Sequence, residues 1–235
     1  MVRKMLEGQK CLVIGSGISG IGAVALLEKY HADVVLYDSS DKLTKEDLEA
    51  KLPGESKAVC IAGELPEEVE LSIQAAVLSP GVPTDIPLVN RMRDRGVQIL
   101  GEIELGFLAE QGRVIAITGT NGKTTTTTLT GEIMKAHFGE EKTFVVGNIG
   151  NPYTLEVTKT SKDSVTVGEI SSFQLETIHT FHPVVSAILN ITPDHLNRHH
   201  TMENYIAAKE AITMNQTKDD YCILNYENAY TREFG

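Results

Sequence analysis

The chain has few cysteines, and nothing in their arrangement indicates cross-linking. Cys11, Cys60 and Cys222 are the three among 235 residues, and they form no CxxC pair. This odd number argues against the disulfide framework that small secreted domains use. Because each cysteine lies in a short apolar run, we predict three buried, reduced thiols.

Positive charge is also scarce. The 32 aspartates and glutamates outnumber the 21 lysines and arginines, which gives a formal net charge of −11. This balance argues against nucleic acid or an anionic membrane as the main partner. Phosphate groups would therefore have to bind in a local cationic pocket.

The sequence lacks a long apolar run. The run behind the basic amino-terminal residues stops at Gly15, which is too short for a signal-peptide core or a membrane span. A hydrophobic share of 41% with 23% charged residues fits one or two soluble globular domains. We expect a cytoplasmic protein without membrane insertion.

A glycine-lysine-threonine loop is the feature around which the rest of the chain is organised. The apolar run Val114–Ile117 leads into a glycine-lysine-threonine loop and then a helical pattern. Its backbone N–H groups and the helix start favour anionic oxygens, Lys123 would neutralise the β- and γ-phosphates, and the Thr124 hydroxyl could hold Mg²⁺. Ile117 stands where the common P-loop spacing has its first glycine, and a turn without a ligand is the alternative. The predicted ATP-binding residues are Gly119, Thr120, Asn121, Gly122, Lys123, Thr124 and Thr125.

A second glycine-rich loop lies near the amino terminus. The run Cys11–Ile14 ends in Gly15-Ser16-Gly17-Ile18-Ser19-Gly20, and a second predicted strand ends in Asp38. This is a Rossmann fingerprint with an acidic residue placed to meet a ribose hydroxyl, which taken alone favours NAD. The loop recognises a diphosphate rather than nicotinamide, so UDP satisfies the same geometry.

Strand and helix patterns alternate along the chain, which favours mostly parallel sheets. We predict an α/β fold with a Rossmann-like domain over residues 1–100 and a P-loop ATPase domain over residues 101–235, with the boundary near Gly101. Ligands of such sheets bind beyond the carboxyl ends of the strands. Ser79-Pro80-Gly81, Asn148, Glu169 and His195 each follow a predicted strand.

These strand-end groups have plainer alternatives. Ser79-Pro80-Gly81 could be an ordinary loop, and Glu169 could cap the next helix instead of holding Mg²⁺. The histidines near Arg198 suggest zinc, but their spacing and the arginine argue against it, and we predict that His199 and His200 are exposed. An isolated Lys209 on a helix would normally be solvated.

Taken together, the motifs resemble the Mur ligase family, whose relatives include the folylpolyglutamate synthetases. The resemblance covers almost the whole chain, and the order and spacing of the motifs carry it. These motifs are the Gly15 fingerprint, Ser79-Pro80-Gly81, Gly101-Glu102-Ile103-Glu104-Leu105, the Gly119 loop, Gly147-Asn148-Ile149-Gly150, the segment Glu169–Glu176, Asp194-His195 and Lys209.

The resemblance implies an ATP-dependent ligase of peptidoglycan precursor synthesis. ATP would phosphorylate the carboxylate of UDP-N-acetylmuramoyl-L-alanine, and the amine of D-glutamate would attack the acyl phosphate. The implied cofactors are ATP and Mg²⁺, with Lys209 carbamylated by CO₂. The expected state is a monomer that binds neither nucleic acid nor membrane.

The resemblance also assigns roles to residues. The implied catalytic residues are Lys123, Asn148, His195 and Lys209. The implied metal ligands are Thr124, Glu169, His195 and Lys209 as its carbamate. The implied UDP-substrate residues are Ser16, Gly17, Ile18, Ser19, Asp38, Ser39, Ser79, Pro80, Gly81 and Asn148.

Mur ligases have a third, carboxy-terminal domain that helps bind the amino acid, and this sequence resembles only the first two. The resulting expectation is a truncated central domain that binds its ligands without turnover. Two other functions stay open from the sequence. One is a non-catalytic UDP- and ATP-binding module, and the other is an NAD-dependent dehydrogenase, which would leave the Gly119 loop without an explanation.

Overall fold

A computed structural model describes residues 5–235 of the chain. Within that range the strands form two parallel five-stranded sheets. The first sheet has the order β3-β2-β1-β4-β5. Its strands are β1 (Lys10–Ile14), β2 (Asp33–Asp38), β3 (Val59–Ala62), β4 (Ala75–Leu78) and β5 (Gln98–Gly101). The predicted α/β fold is confirmed.

Helices cover both faces of the first sheet. They are α1 (Ile18–Lys29), α2 (Lys45–Glu49), α3 (Glu67–Ser72), α4 (Pro87–Asp94) and α5 (Glu102–Ala109). In β1, Cys11 and Val13 pack in the cluster that contains Val24 of α1, whereas the alternate residues pack in the cluster that contains Met92 of α4. A central parallel strand buried on both faces requires such an uninterrupted apolar run.

The second sheet has the order β10-β9-β6-β8-β7. Its strands are β6 (Arg113–Thr118), β7 (Thr143–Gly147), β8 (Val165–Glu169), β9 (Val185–Ile188) and β10 (Tyr221–Leu224). The α-helices of this part are α6 (Lys123–Phe138), α7 (Tyr153–Glu156), α8 (Ser172–Leu175), α9 (Leu196–His199), α10 (Met202–Glu210) and α11 (Ala229–Phe234). Short 3₁₀ turns occupy 140–142, 157–159 and 211–213.

Helix α5 joins the two sheets through buried carboxylates. Glu102 accepts hydrogen bonds from the amide and hydroxyl of Thr154, at 2.7 and 2.8 Å. Glu104 accepts three backbone N–H bonds from residues 179–181. The helix that follows the first sheet is therefore anchored in the second, and the division of the chain at residue 100 stays a prediction.

The prediction of three buried thiols is wrong at one position. Cys11 and Cys60 are buried, but Cys222 is exposed. Cys222 lies on β10, an edge strand whose residues are mostly exposed, so an apolar run there does not imply burial. Among residues 5–235, no helix combines the length and apolarity needed to cross a membrane.

Candidate functional site

The first glycine loop lies at the switch point of the first sheet. β1 stands between β2 and β4, so the segments after β1 and β4 leave on opposite sides of the same crevice. A Cβ atom on Gly20 would lie 1.9 Å from the Gly15 carbonyl oxygen. Because glycine has no Cβ atom, the helix can pack directly against the loop. A Cβ atom on Gly17 would meet nothing within 4 Å, so space for a ligand remains at the helix start.

A cleft of about 450 Å³ opens at this crevice and is shared by both sheets. It is lined by Gly15, Ser16, Gly17, Ile18, Ser19, Asp38, Ser79, Pro80, Gly81, Val82, Gly147, Asn148, Gly150, Pro152 and Gln174. All the predicted UDP-substrate residues line it except Ser39, which is exposed nearby. A larger groove of about 810 Å³ lies at the amino-terminal edge of the first sheet, away from the glycine loops. We therefore take the smaller cleft as the candidate site.

Asp38 is bonded to the glycine loop. Its carboxylate accepts hydrogen bonds from the Ser16 amide (3.0 Å), the Ser16 hydroxyl (2.6 Å) and the Ser40 amide (3.1 Å). Partial burial raises the pKa of Asp38, but these hydrogen bonds and the charge of Lys51 together outweigh burial and lower it. Asp38 is thus held ionised in the cleft and fixes the conformation of the loop.

The second glycine loop is hydrogen-bonded to the segment that follows β9. The Asn190 side chain accepts a bond from the Asn121 amide (2.8 Å) and donates one to its carbonyl (3.0 Å). The Thr120 amide donates to the Asn190 carbonyl at 2.9 Å. Sequence reasoning missed Asn190, although a polar residue just beyond a strand that neighbours β6 was a usable signal.

Lys123 lies at the start of α6, after Gly122, whose φ of 84° is one that glycine adopts without strain. Its ammonium donates to the carbonyls of Gly119 (2.9 Å) and Thr120 (3.0 Å). An ammonium carries three donors, so one donor remains for a phosphate oxygen. Thr124 and Thr125 are exposed beside it in the first turn.

Lys209 converges on the same carbonyl from α10. Its ammonium donates to the Gly119 carbonyl at 2.8 Å and lies 4.7 Å from the centre of the Tyr205 ring. Lys209 is only 1% exposed, so the alternative of a solvated lysine is wrong. Burial first, and then the neighbouring Lys123 charge, lower the pKa of Lys209 to about 7.

Glu169 ends β8 as a buried carboxylate. One oxygen accepts a hydrogen bond from the Asn148 amide group at 3.1 Å. Within residues 5–235 the other oxygen has no hydrogen-bond partner, although it is buried. The alternative that Glu169 caps the next helix is wrong, because Ser171 caps α8. A buried carboxylate oxygen without a donor fits a divalent cation such as Mg²⁺.

His195 lies beside Asp194 and two aromatic rings. Its side chain is 50% exposed, with Nε2 3.5 Å from an Asp194 oxygen. Its ring centre is 5.0 Å from that of Phe173 and 6.4 Å from that of Tyr205. Tyr205, which sequence reasoning did not assign, also approaches the Thr120 hydroxyl at 3.1 Å, so it links His195, Lys209 and the loop.

The prediction of an exposed His199 is wrong. His199 is buried, with Nε2 2.9 Å from the Ser172 hydroxyl and Nδ1 3.3 Å from a Glu176 oxygen. Burial lowers the pKa of His199. Arg198 donates to Glu176 (2.8 Å) and to the Val82 carbonyl (3.1 Å), which ties the loop after β4 to α9. His200 is exposed, as predicted.

The geometry agrees with matches to known proteins. Residues 9–101 match the family described as Mur ligase MurD-like, N-terminal domain. The chain is 58% identical over 229 residues to a UDP-N-acetylmuramoylalanine–D-glutamate ligase of Lachnospira eligens, covering 97% of this chain and 50% of that one. It is 56% identical over 225 residues to the enzyme of that name in Lachnoclostridium phytofermentans, covering 96% and 49%. The chain thus spans about half the length of these curated relatives.

One solved structure is similar in fold. The UDP-N-acetylmuramate:L-alanyl-gamma-D-glutamyl-meso-diaminopimelate ligase from Neisseria meningitides superposes with a TM-score of 0.59 at 14% identity. The match covers 96% of this chain and 74% of that one, and at this identity it concerns the fold alone. The family described as Mur ligase middle domain matches residues 117–235, which is more than half of the sequence. The chain therefore belongs to the Mur ligase family.

Proposed function

We propose that this chain supplies the substrate- and ATP-binding parts of a cytoplasmic ligase that joins D-glutamate to UDP-N-acetylmuramoyl-L-alanine in peptidoglycan precursor synthesis. The observation that carries the proposal is the shared cleft, in which the Gly15 loop faces Asn148 of the neighbouring part of the chain. Asn148 in turn touches Glu169. A UDP-sugar bound by the loop would therefore extend towards the ATP-binding part. The relatives that carry this enzyme name support the choice of substrates.

The proposed reaction has two steps. A carboxylate oxygen of the UDP precursor forms a bond to the γ-phosphorus of ATP, the bond to the bridging oxygen breaks, and ADP leaves. The D-glutamate amine then attacks the acyl carbon and loses a proton, and phosphate leaves to give the amide. A carboxylate and a triphosphate repel each other, so the first step requires positive charge at the phosphates.

Lys123 provides that charge in the proposed mechanism. Its ammonium is already aimed by two loop carbonyls and retains a donor for the phosphates. Thr124, Glu169 and His195 would hold Mg²⁺, whose charge would add to the screening of the phosphates. Asn148, at the cleft and bonded to Glu169, orients the substrate carboxylate.

The experiment that tests the substrate assignment is calorimetry with UDP-N-acetylmuramoyl-L-alanine and, separately, with NAD. We expect a binding signal with the UDP precursor and none with NAD at the same concentrations. Uracil and nicotinamide present different hydrogen-bonding groups to a protein. The pair of titrations therefore also distinguishes the ligase from the dehydrogenase. Tight NAD binding without a response to the UDP precursor would contradict the proposal.

We further propose that Lys209 is carbamylated. Only a neutral amine attacks CO₂, and with a pKa of about 7 roughly 90% of Lys209 is neutral at about pH 8, against well under ~1% for an ordinary lysine. The amine nitrogen forms a bond to the CO₂ carbon and releases a proton. The resulting anion would lie beside the Lys123 ammonium, which stabilises it, and would join the metal ligands.

Carbon-13 NMR of the protein with labelled bicarbonate at about pH 8 measures this modification directly. We expect a carbamate resonance in the parent protein that disappears in Lys209→Met. Lys135→Met is the matched control, because Lys135 is a lysine of α6 whose partner is the exposed Glu132, and it should keep the resonance. A parent spectrum without the resonance would refute the modification.

A further inference from the structure

The described residues that line the candidate UDP cleft include no basic side chain. Among the described residues that line it, Asp38 is the charged one, and it is acidic. A diphosphate would bring further negative charge next to this carboxylate. The Ser16 amide, which could have donated to a phosphate, already donates to Asp38. Backbone N–H groups at the start of α1 contribute only partial charge, so a full cation close by would strengthen diphosphate binding.

Lys51 is placed to supply that cation. It follows α2 in the chain, and its ammonium donates to the Ser16 hydroxyl (2.9 Å) and to the Ser16 carbonyl (3.3 Å). In the part of the chain that the structure describes, no other lysine or arginine side chain is seen to hydrogen-bond to residues 15–20. The Ser16 hydroxyl in turn donates to Asp38, so Lys51, Ser16 and Asp38 form one hydrogen-bonded chain at the edge of the cleft.

We propose that Lys51 binds the diphosphate of the UDP precursor and sets the preference of this cleft for a nucleoside diphosphate over an uncharged nucleoside. The inference rests on the proposed function, since it concerns the same ligand. Two of the three ammonium donors are used by Ser16, and the third is available to a phosphate oxygen. Such a charge-assisted hydrogen bond is about twice as strong as a neutral one.

A simpler role for Lys51 would be to hold the loop in shape. The two roles differ in how they depend on the ligand. A structural support for the loop would affect uridine, UMP and UDP alike, because all three use the same loop. A phosphate contact would affect UDP most, UMP less and uridine hardly at all, and its contribution would weaken as salt is added.

The test is chemical-shift titration of Lys51→Met with uridine, UMP and UDP, a method that also measures weak binding. We expect the dissociation constant for UDP to rise about tenfold, which corresponds to about 1.4 kcal/mol, while that for uridine changes less than about twofold. Lys51→Arg should retain most of the UDP affinity, because it keeps a cation and its donors. The salt dependence of UDP binding should also be shallower in Lys51→Met than in the parent.

Lys57→Met is the matched control. It removes the same charge, but Lys57 precedes β3 and lines the groove at the opposite edge of the first sheet, so UDP affinity should stay at the parental value. Equal losses for uridine and UDP, or no loss for UDP, would overturn the role of Lys51 and leave the proposed function standing. A parent protein that does not bind UDP would overturn both.

Discussion

Replacing Lys123 by alanine is expected to weaken ATP binding by about tenfold to a hundredfold, because a hydrogen bond to a charged group contributes roughly 1.5–3 kcal/mol. The Lys123 ammonium is held by the carbonyls of Gly119 and Thr120, so its position does not depend on the nucleotide. Because the ammonium is already held in position, it loses little conformational freedom when ATP binds. The loss of ATP affinity should therefore reflect most of this contribution of roughly 1.5–3 kcal/mol.

Titrations with ATP, ADP and AMP in the presence of Mg²⁺ measure this effect. AMP lacks the β- and γ-phosphates, so its affinity should hardly change in Lys123→Ala, whereas the affinities for ATP and ADP should fall. Lys135→Ala, on the same helix with an exposed ion pair to Glu132, serves as the control and should bind ATP as the parent does. Equal ATP affinity in Lys123→Ala and the parent would show that the residue has no phosphate role.

The same substitution has a consequence for Lys209. The charge of Lys123 is one of the causes that lower the pKa of Lys209, second to burial. Removing it lets that pKa rise towards the ordinary lysine value, so less neutral amine is present at a given pH. The carbamate resonance should then require a higher pH in Lys123→Ala, and NMR spectra over a pH series would detect the shift.

The strands and the glycine loops could be predicted because their signals are local. The apolar run Ala75–Leu78, which ends at the turn residues Ser79-Pro80-Gly81, forms β4, as expected of a buried parallel strand. The loop between β6 and α6 lies where the glycine, lysine and threonine residues predict a turn from strand to helix.

The errors concern partners far apart in the sequence. Lys209 bonds to a carbonyl 90 residues earlier, and its own helix gives no sign of this contact, so its assignment to the site rested on the family resemblance alone. His199 is buried because Ser172 and Glu176 meet it from α8 and the turn beyond it. Cys222 is exposed because its strand lies at the sheet edge, which depends on strand order rather than on composition.

Glu104 also has its hydrogen-bond partners far along the chain, at residues 179–181. Its substitution should have the largest effect on stability. The residue is 1% exposed. One oxygen accepts from the amides of His179 (2.9 Å) and Phe181 (3.0 Å), and the other from the amide of Thr180 (2.7 Å) and its hydroxyl. In Glu104→Gln the new NH₂ group must face at least one of these donors. That donor then lies buried without an acceptor, and the carboxylate to which all four donors bond is lost. We expect the free energy of unfolding to fall by about 3 kcal/mol.

Glu102→Gln is the matched control, two residues earlier on α5. Only one Glu102 oxygen is hydrogen-bonded, to Thr154, so an amide can keep that contact and place its NH₂ group at the other oxygen. Burial raises the pKa of Glu102, which means that the parent loses stability as the pH rises above the unfolded-state value of about 4.5. Glutamine does not titrate, so the stability of Glu102→Gln relative to the parent should increase as the pH rises above about 4.5. Urea unfolding at several pH values measures both variants, and a Glu104→Gln loss no larger than that of Glu102→Gln would show that the bonds to residues 179–181 do not anchor α5.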